Sequence, residues 1–557
     1  MKEVGKPSSN KGHHAGNAAT SSTKRRHSTT AAFSNRSPGA SVAADLSCGY
    51  SSPTLDEVAQ LQCLSGKRLS VLAKRARTNP SNIQTTCSSS GQTSVLSEEH
   101  IPISSLYVDF GDCTQVCEYC HSRFWFEERL SSSSNAHAPK YNRCCKAGRV
   151  RISYPLEPPN SLKQLFDNSR FLDNIRVYNS MFAMTSFGAT IDESINLSSG
   201  PYVFKISGQV CHRIGSFFPS PGERPRFLQM YVYDTQHELS NRLSLFGDHG
   251  SSSLDPEIVR LLVSVLDENN KLVKLLRTAR ELCNSTEVPE FAICLYSSVK
   301  EVCYDRPAAG VIGTIIYDNQ PRASAFDIVI HMKNGVVERV SKLHSLYMSL
   351  QYPLLFPYGE QGWNPNLHFV NDDLSRITMD MFYSYQIHDR FSTYTLLLRG
   401  GRLFQQYLVD AYVSIEQNRL DYIASHQDML RTEYLQGIHD ALLRGDTSGH
   451  DIGKRTILPT SFTGGPRYMY KHYQDALAIC RVYGNPQYFI TFTCNVKWPE
   501  ITRYLAEIPS LKAHDRPDII VRVFKMKVNA FLKHLRSGVP FGEVVAGCLS
   551  CNYFYHY

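Results

Sequence analysis

The sequence predicts an α+β chain, on three observations. Apolar residues at helical spacing alternate along the chain with short aromatic and β-branched runs of strand length. Hydrophobic residues make up 42% and charged residues 20% of the 557, ordinary values for a chain long enough to build a real core and several domains. The sixteen cysteines include a close group near residues 113–145, where they read as reduced thiols rather than a disulfide framework, since no secretory leader precedes them. The expected layout is a disordered tail, a small cysteine-rich module, a mixed α/β middle, and an incomplete antiparallel sheet with flanking helices.

The net charge of +8 allows a polyanion partner without demanding one. No apolar run approaches the roughly 18–20 residues of a membrane span, so a soluble, intracellular protein without a membrane partner is expected. Residues 1–97 are rich in Ser, Thr, Asn and Ala and lack apolar periodicity, a composition that cannot offset the entropy of ordering. Disorder is therefore expected there. The basic clusters Lys24-Arg25-Arg26, Lys67-Arg68 and Lys74-Arg75-Ala76-Arg77 suit nuclear-import signals, phosphate-contacting arms or a merely solvated tail, with nucleus or else cytoplasm as the expected location.

Residues 108–155 hold the cysteine group. Cys117 and Cys120 have the C-x2-C spacing that brings two thiolates from one turn to a single Zn²⁺ at about 2.3 Å, and Cys144 with Cys145 can return as the second pair. Adjacent cysteines are cramped donors, so Cys113, His121 or His137 are alternates. Buried free thiols are the plainer reading. Four closed ligands leave no open coordination position, so the expected role of the zinc is structural or DNA-contacting rather than catalytic.

Across residues 161–349 an α+β connecting or DNA-binding region is expected. A short helix surrounds Leu162, Leu165 and Phe166, and β-like runs cover Tyr202–His212 and Arg226–Tyr233. Tyr202, Phe204, Phe227, Tyr231 and Tyr233 suit base stacking but more often form sheet core. From Asp255 to Cys283 the apolar spacing is helical, with Ser253 or Asp255 as cap, Pro256 in the first turn, and Asn269-Asn270 splitting the segment into a pair. Strands are expected at Phe291–Leu295, Ala309–Tyr317 and Phe326–Met332.

Residues 350–557 open with LQYPLLFPYGEQGWNPN, which reads as a structured linker because its prolines forbid regular structure. Helices follow at Thr378–Tyr394 and Gly401–Asn418, the latter with Leu403, Tyr407, Leu408, Ala411 and Ile415 on one side, and a further helix runs from Asp421 towards Leu443. Arg399, Arg402 and Arg419 suit phosphates, or ordinary pairs with Asp410, Glu416 and Asp421. The stretch from Ile457 to Ile501 spaces Met469, Tyr473, Leu477 and Cys480 as one apolar helical face, then turns at Gly484-Asn485-Pro486 into a strand-length run, Tyr488–Cys494. Asp518–Arg536 reads as a basic amphipathic helix with Val521, Phe524, Val528, Phe531, Leu532 and Leu535 inward and Arg522, Lys525, Lys527 and Lys533 outward. The candidate DNA contacts are Arg399, Arg402, Arg467, Lys497, Arg522 and Lys525.

Five blocks, LQYPLLFPYGEQGW, RGGRLFQQYLVDAYVSIEQNRL, ILPTSFTGGPRYM, YQDALAI and FITFTCNVKWPEI, resemble in content and order the replication-initiator region of Helitron transposon proteins, the plant Helitron helicase-like family. The resemblance runs from about Val108 to Ala546 and is strongest after Leu350. The C-x2-C, tryptophan and CC-x-x-G series is similar to the family's as well. It implies a transposase-related protein acting on single- or double-stranded DNA, in which a strand bearing His-x-His binds a divalent cation and a tyrosine cleaves the strand for rolling-circle replication. Here the resemblance stops near Ala546, no His-x-His follows, and the closing Cys548–Tyr557 carries no tyrosine helix. A shortened gene model, a spliced-in intron or decay would each give this ending, so neither nicking nor a catalytic cation is expected; recovery of the histidine pair would make the protein a metal-dependent nickase, and an inactive relic is the other alternative. No Walker A loop is present either, Ile452-Gly453-Lys454-Arg455 lacking its first glycine and final hydroxyl, so ATP hydrolysis is not expected. The oligomeric state is left open.

Overall fold

The computed structural model describes residues 107–131, 139–197, 202–233, 235–245, 254–284, 291–296, 313–316, 328–331, 337–391, 393–427, 456–539 and 541–547. The expected disordered tail, residues 1–97, lies outside them, as do His137, most of the expected helix towards Leu443, and Cys548–Tyr557. The described residues fall within one compact unit, 103–557, of mixed helices and small antiparallel sheets, an α+β fold. No helix among the described residues is long and apolar enough to cross a membrane.

The elements follow local chemistry closely where a cap is present. Two short hairpin strands, β1 (Gln115–Val116) and β2 (Arg123–Phe124), open the chain. The expected helix α1 (Asn160–Phe166) is followed by α2 (Ser169–Phe182), which begins where the Asn168 side chain accepts from the N–H groups of Arg170 and Phe171. The longer α2 has its own signal, Phe171, Leu172, Ile175, Tyr178 and Phe182 at helical spacing behind an Asn cap, and all five are buried. A three-stranded sheet is built by β3 (Ser186–Phe187), β4 (His212–Ile214) and, much later in the chain, Glu338–Arg339.

Asn270 divides the long apolar stretch as the sequence suggests. It ends α3 (Pro256–Asn269), and its Oδ1 accepts from Leu272 and Val273 N–H at 2.9 and 3.2 Å to start α4 (Lys271–Cys283). Asp255 caps the first helix, and Ser253 lies outside the described residues. The second three-stranded sheet has β5 (Ala292–Leu295) at its centre, paired antiparallel with β6 (Gly313–Ile316) and β7 (Ile328–His331). All three expected strands therefore form.

The spine is a 25-residue helix, α5 (Gly401–Ser425), which lies along α2. Its expected apolar face is buried at Leu403, Tyr407, Leu408 and Ala411, with Ile415 half-buried. Gly401 starts it at φ +52°, a conformation that disfavours a side chain. The spine also buries polar groups. Asp410 Oδ2 accepts from the Tyr352 hydroxyl at 2.8 Å and lies 2.7 Å from His212 Nε2, and the His212 ring stacks on Tyr347 with centroids 3.8 Å apart.

Several expectations are corrected. Arg226–Tyr233 is a 3-10 turn at Phe227–Tyr231 rather than a strand: Leu228, Met230 and Tyr231 fold inward together, and the Tyr231 hydroxyl donates to Phe182 O at 2.6 Å. Tyr202–His212 holds only the two-residue strand Ile206–Ser207 and the start of β4. The expected linker after Leu350 is core, since Tyr352 and Leu354 are fully buried against the spine side of the unit. The helix expected at Thr378–Tyr394 ends at Ile387, and the spine itself carries on through Asp421 to Ser425.

The C-terminal part holds α6 (Pro466–Tyr483), α7 (Pro499–Ala506) and α8 (Pro517–Arg536). In α6 no residue is buried; Met469 and Tyr473 of its expected inner face are exposed, while Leu477 and Cys480 are half-buried. Tyr488–Cys494 forms neither helix nor strand and pairs with no strand among the described residues, and Phe489 is 97% exposed. Only Phe492 turns inward, stacking near Trp498, Phe524 and Phe531. A strand needs a neighbour to take its backbone groups, and none is found among the described residues.

The inner face of α8 is also rotated from the expected one. Ile519, Val523, Met526 and Val528 are buried, whereas Val521, Phe524, Phe531, Leu532 and Leu535 are half-buried. With Cys113, Trp125, Trp498, Ile501 and Tyr504 the first three form a second core that joins the cysteine-rich module to the C-terminal helices.

Candidate metal centre

Two tight turns bring the cysteines together. The first, Cys117–His121, closes with His121 N–H on Cys117 O at 3.0 Å and Cys117 N–H on Ser122 O at 2.9 Å, and His121 takes φ +57° to do so. The second turn passes through Lys146, Ala147 and Gly148, all at positive φ, and returns with Val150 N–H on Cys145 O at 3.0 Å. Tyr119 of the first turn lies over Gly148 of the second, so close that a Cβ there would stand 2.7 Å from the ring. Glycine is the residue that meets both demands.

Cys117, Cys120, Cys144 and Cys145 are all buried, and their four sulfurs lie within 4.8 Å of one another. Two of the separations, Cys117–Cys145 and Cys144–Cys145, are 3.7 Å. Tetrahedral coordination with Zn–S bonds of about 2.3 Å requires sulfurs roughly 3.8 Å apart, so the donor set fits a four-thiolate metal centre. Outer groups point at the sulfurs as well: Gly148 N–H donates to Cys145 Sγ at 3.2 Å, and Ser122 Oγ lies 3.1 Å from Cys120 Sγ.

Crowding sets the thiols against each other. Cys117, although Cys120 hydrogen-bonds against it, is brought down to about 7 by Cys144 and Cys145. Cys120 is held well below the ordinary thiol value by hydrogen bonds from Cys117, Cys144 and Cys145. Cys144 and Cys145 are pushed up, first through Cys117 and then through Cys120. Ionising all four thiols at this spacing would require a cation among them.

The adjacent pair is thus not too cramped, because the left-handed turn after it aims both sulfurs at one point. The two alternates among the described residues, Cys113 and His121, are not in the cluster. Cys113 faces the second core beside Trp125, where burial raises its thiol to about 12, and His121 is exposed.

The module is not a separate bead. Arg123 N–H donates to Asp389 O at 2.9 Å, Ser122 bridges Arg390, and Val370 N–H reaches Arg149 O at 3.0 Å. Phe124 stacks on Tyr141 with centroids 4.4 Å apart beneath the sulfurs. Residues 382–553 match the family model described as Helitron helicase-like domain at N-terminus. The chain carries a Helitron helicase-like domain. It is thereby related to Helitron transposases. No curated protein matches it. The four cysteines lie outside the matched residues, and the module that carries them meets the Helitron-like domain through Ser122, Arg123 and Phe124.

All six candidate DNA contacts fall inside that domain, and the structure treats them differently. Arg522, expected outward, is drawn inside: its guanidinium pairs with Glu128 at 2.7 Å and lies 4.9 Å from the Trp125 ring centroid. Lys527, also expected outward, is buried against Glu500 at 2.6 Å. Both corrections follow from the rotated inner face of α8. Arg399 and Arg402 sit at the start of the spine, each 3.4 Å from an aspartate of the N-terminal half, Asp167 and Asp173. Their expected partner Asp410 is instead buried with His212, and Asp421 pairs with Lys342. Lys497 and Lys525 are exposed, and Arg467 stands half-buried in the first turn of α6. Of the aromatics that suit stacking, Phe204 and Tyr231 are core, and Tyr202 lies under Arg402 at 4.6 Å.

Proposed function

We propose that this chain is a DNA-binding part of Helitron-type transposition machinery, with zinc at the four-cysteine centre as a structural ion. The observation that carries DNA binding is the exposed face of α6. Met469, Tyr470, Tyr473 and Tyr483 are all more than half exposed on a helix that also presents Lys471 and Arg481. Aromatic faces beside cations are what single-stranded nucleic acid uses, stacking bases at about 1–3 kcal/mol each while the cations track phosphates. Beyond Gly484, Tyr488 and Phe489 are exposed as well.

Zinc supports this reading from beneath. Four thiolates give a soft, closed donor set, which suits zinc and offers no coordination position for a reacting group. Bound there, the ion would tie the two turns together and so hold Arg123, Phe124 and Trp125 against the Helitron-like domain.

The test is binding of the zinc-loaded full chain to labelled single- and double-stranded oligonucleotides over a salt series. A log–log slope of several counterions is expected, with the tighter binding marking the strand type actually used. Absence of any salt-dependent binding would end the reading.

A further inference from the structure

A cavity of about 220 Å³ opens where the cysteine-rich module meets the Helitron-like domain, walled by Arg123, Arg390, Arg399 and Arg516 together with Asp389 and Glu507. Four guanidinium groups around so small a space are costly unless each has a counter-charge. Their pairing is uneven. Both oxygens of Glu507 are taken by Arg123, at 2.6 and 2.7 Å, and Asp518, behind the wall, takes Nε and Nη2 of Arg516 at 2.9 and 2.8 Å. Asp389 already accepts from the Tyr504 hydroxyl at 2.7 Å and from Arg390 N–H at 2.9 Å.

That last bond is from the Arg390 backbone; the Arg390 guanidinium itself meets no carboxylate among the described residues. Its Nη1 and Nη2 donate to the carbonyls of His388 and Tyr385 at 2.8 and 2.7 Å, it lies 3.8 Å from the Tyr385 ring centroid, and its buried Nε has no hydrogen-bond partner among the described residues. Arg399 has one carboxylate, Asp167, at a long 3.4 Å, and its guanidinium lies 4.3 Å from the Tyr394 ring centroid. Thr393 and Thr395 complete the same wall. The spare hydrogen-bonding capacity facing this cavity is therefore cationic N–H with hydroxyls beside it, while the acidic groups are spent on their neighbours.

We propose that the cavity is a phosphate-binding site that receives a backbone phosphate of a DNA strand. Guanidinium forks match phosphate oxygens two at a time. The volume admits a phosphate with part of its sugar and falls short of the roughly 300–1,000 Å³ that encloses a whole drug-sized ligand. The assignment rests on the DNA-binding reading above and adds to it a place distinct from the aromatic face of α6.

The experiment compares the full-length chain with Arg399→Gln, Arg390→Gln, Arg399→Lys and Asp167→Asn in oligonucleotide binding over a salt series, with thermal melts in parallel. Each neutralised phosphate releases about 0.7–0.9 counterion, so Arg399→Gln and Arg390→Gln are expected to lower the log–log slope by about one and weaken binding severalfold at low salt, on any sequence. Asp167→Asn breaks the same ion pair yet keeps the guanidinium, and Arg399→Lys keeps the charge; both are expected to retain the slope. That contrast separates a lost phosphate contact from lost packing. If the parent chain shows a slope and both glutamine variants keep it, the cavity assignment falls and DNA binding stands. If the parent chain does not bind, both fall. Inorganic pyrophosphate that raises the melting temperature only while Arg399 is present, without any change in the DNA slope between variants, would assign the cavity to a free anion and overturn the DNA assignment.

Discussion

Arg522 and Glu128, 394 residues apart in sequence, form a two-point ion pair: Nε donates to Oε1 at 2.8 Å and Nη2 to Oε2 at 2.7 Å. The same Nη2 donates to Arg123 O at 2.8 Å, and Glu128 Oε2 also accepts Trp125 N–H at 3.0 Å. Burial pushes the Glu128 carboxyl up, and the charge of Arg522 outweighs it, so the group sits below its ordinary value. This pair is the polar centre of the joint between the cysteine-rich module and α8, whose apolar part is the Trp125, Ile519 and Val523 cluster.

Arg522→Gln strands a carboxylate in that joint. A buried pair that loses one partner costs about 3–5 kcal/mol, whereas losing both costs far less. Urea denaturation of Arg522→Gln, Glu128→Gln and the double variant is expected to show the double variant less destabilised than the sum of the two. Additive effects would mean that the pair is no more than a surface contact.

Much of this arrangement is local and legible in sequence. Asn270 reads as a boundary because its side chain caps the next helix, and the C-x2-C turn reads as a metal knuckle because its spacing alone brings two sulfurs together. What escapes sequence reasoning is orientation. Arg522 and Lys527 look like solvent-facing cations on an amphipathic helix until Glu128 and Glu500 arrive from other parts of the chain. Tyr488–Cys494 has the composition of a strand, but composition cannot say whether a neighbour is present to pair with it. Likewise Met469 and Tyr473 have helical apolar spacing that predicts burial, and only the fold shows the face uncovered.

Metal removal is expected to loosen the whole joint rather than one loop. Elemental analysis should find one zinc per chain, and Cys145→Ser should lose it. Structural zinc in small units contributes on the order of 10 kcal/mol or more, so chelation should lower the melting temperature and expose Trp125, read as a red shift of its fluorescence. A chelated protein with unchanged melting and emission would show that the four thiols hold the fold without an ion.

Gly148→Ala tests the second turn alone. The position has φ +83°, and a left-handed conformation costs a residue with a Cβ about 1–2 kcal/mol before the contact with Tyr119 is counted. The variant is expected to melt lower and to release zinc faster to a competing chelator. Pairing it with Tyr119→Ala should recover the steric part and leave the backbone part, so equal losses in the two backgrounds would assign the whole effect to φ.

Two half-buried groups set opposite pH dependences. Burial raises the Glu360 carboxyl from 4.5 to about 7, only partly offset by backbone hydrogen bonds such as that from Tyr358 N–H at 3.1 Å. Between those values the unfolded chain has released the proton and the folded chain still holds it, so stability falls as pH rises from about 4.5 to about 7. His388 runs the other way. Burial, reinforced by the charge of Arg522, lowers it from 6.5 to about 4, so the unfolded chain binds a proton that the folded chain refuses, and stability is lost as pH falls from 6.5 towards 4. In the parent protein the two slopes partly cancel over pH 4.5–6.5. Glu360→Gln should remove the falling slope and leave stability climbing with pH across that window, by an amount on the order of a few kcal/mol, while His388→Asn should leave it declining. Urea midpoints measured at pH 4.5, 5.5 and 6.5 decide it, and parallel curves for the parent and both variants would show that neither group holds the protonation state its surroundings dictate.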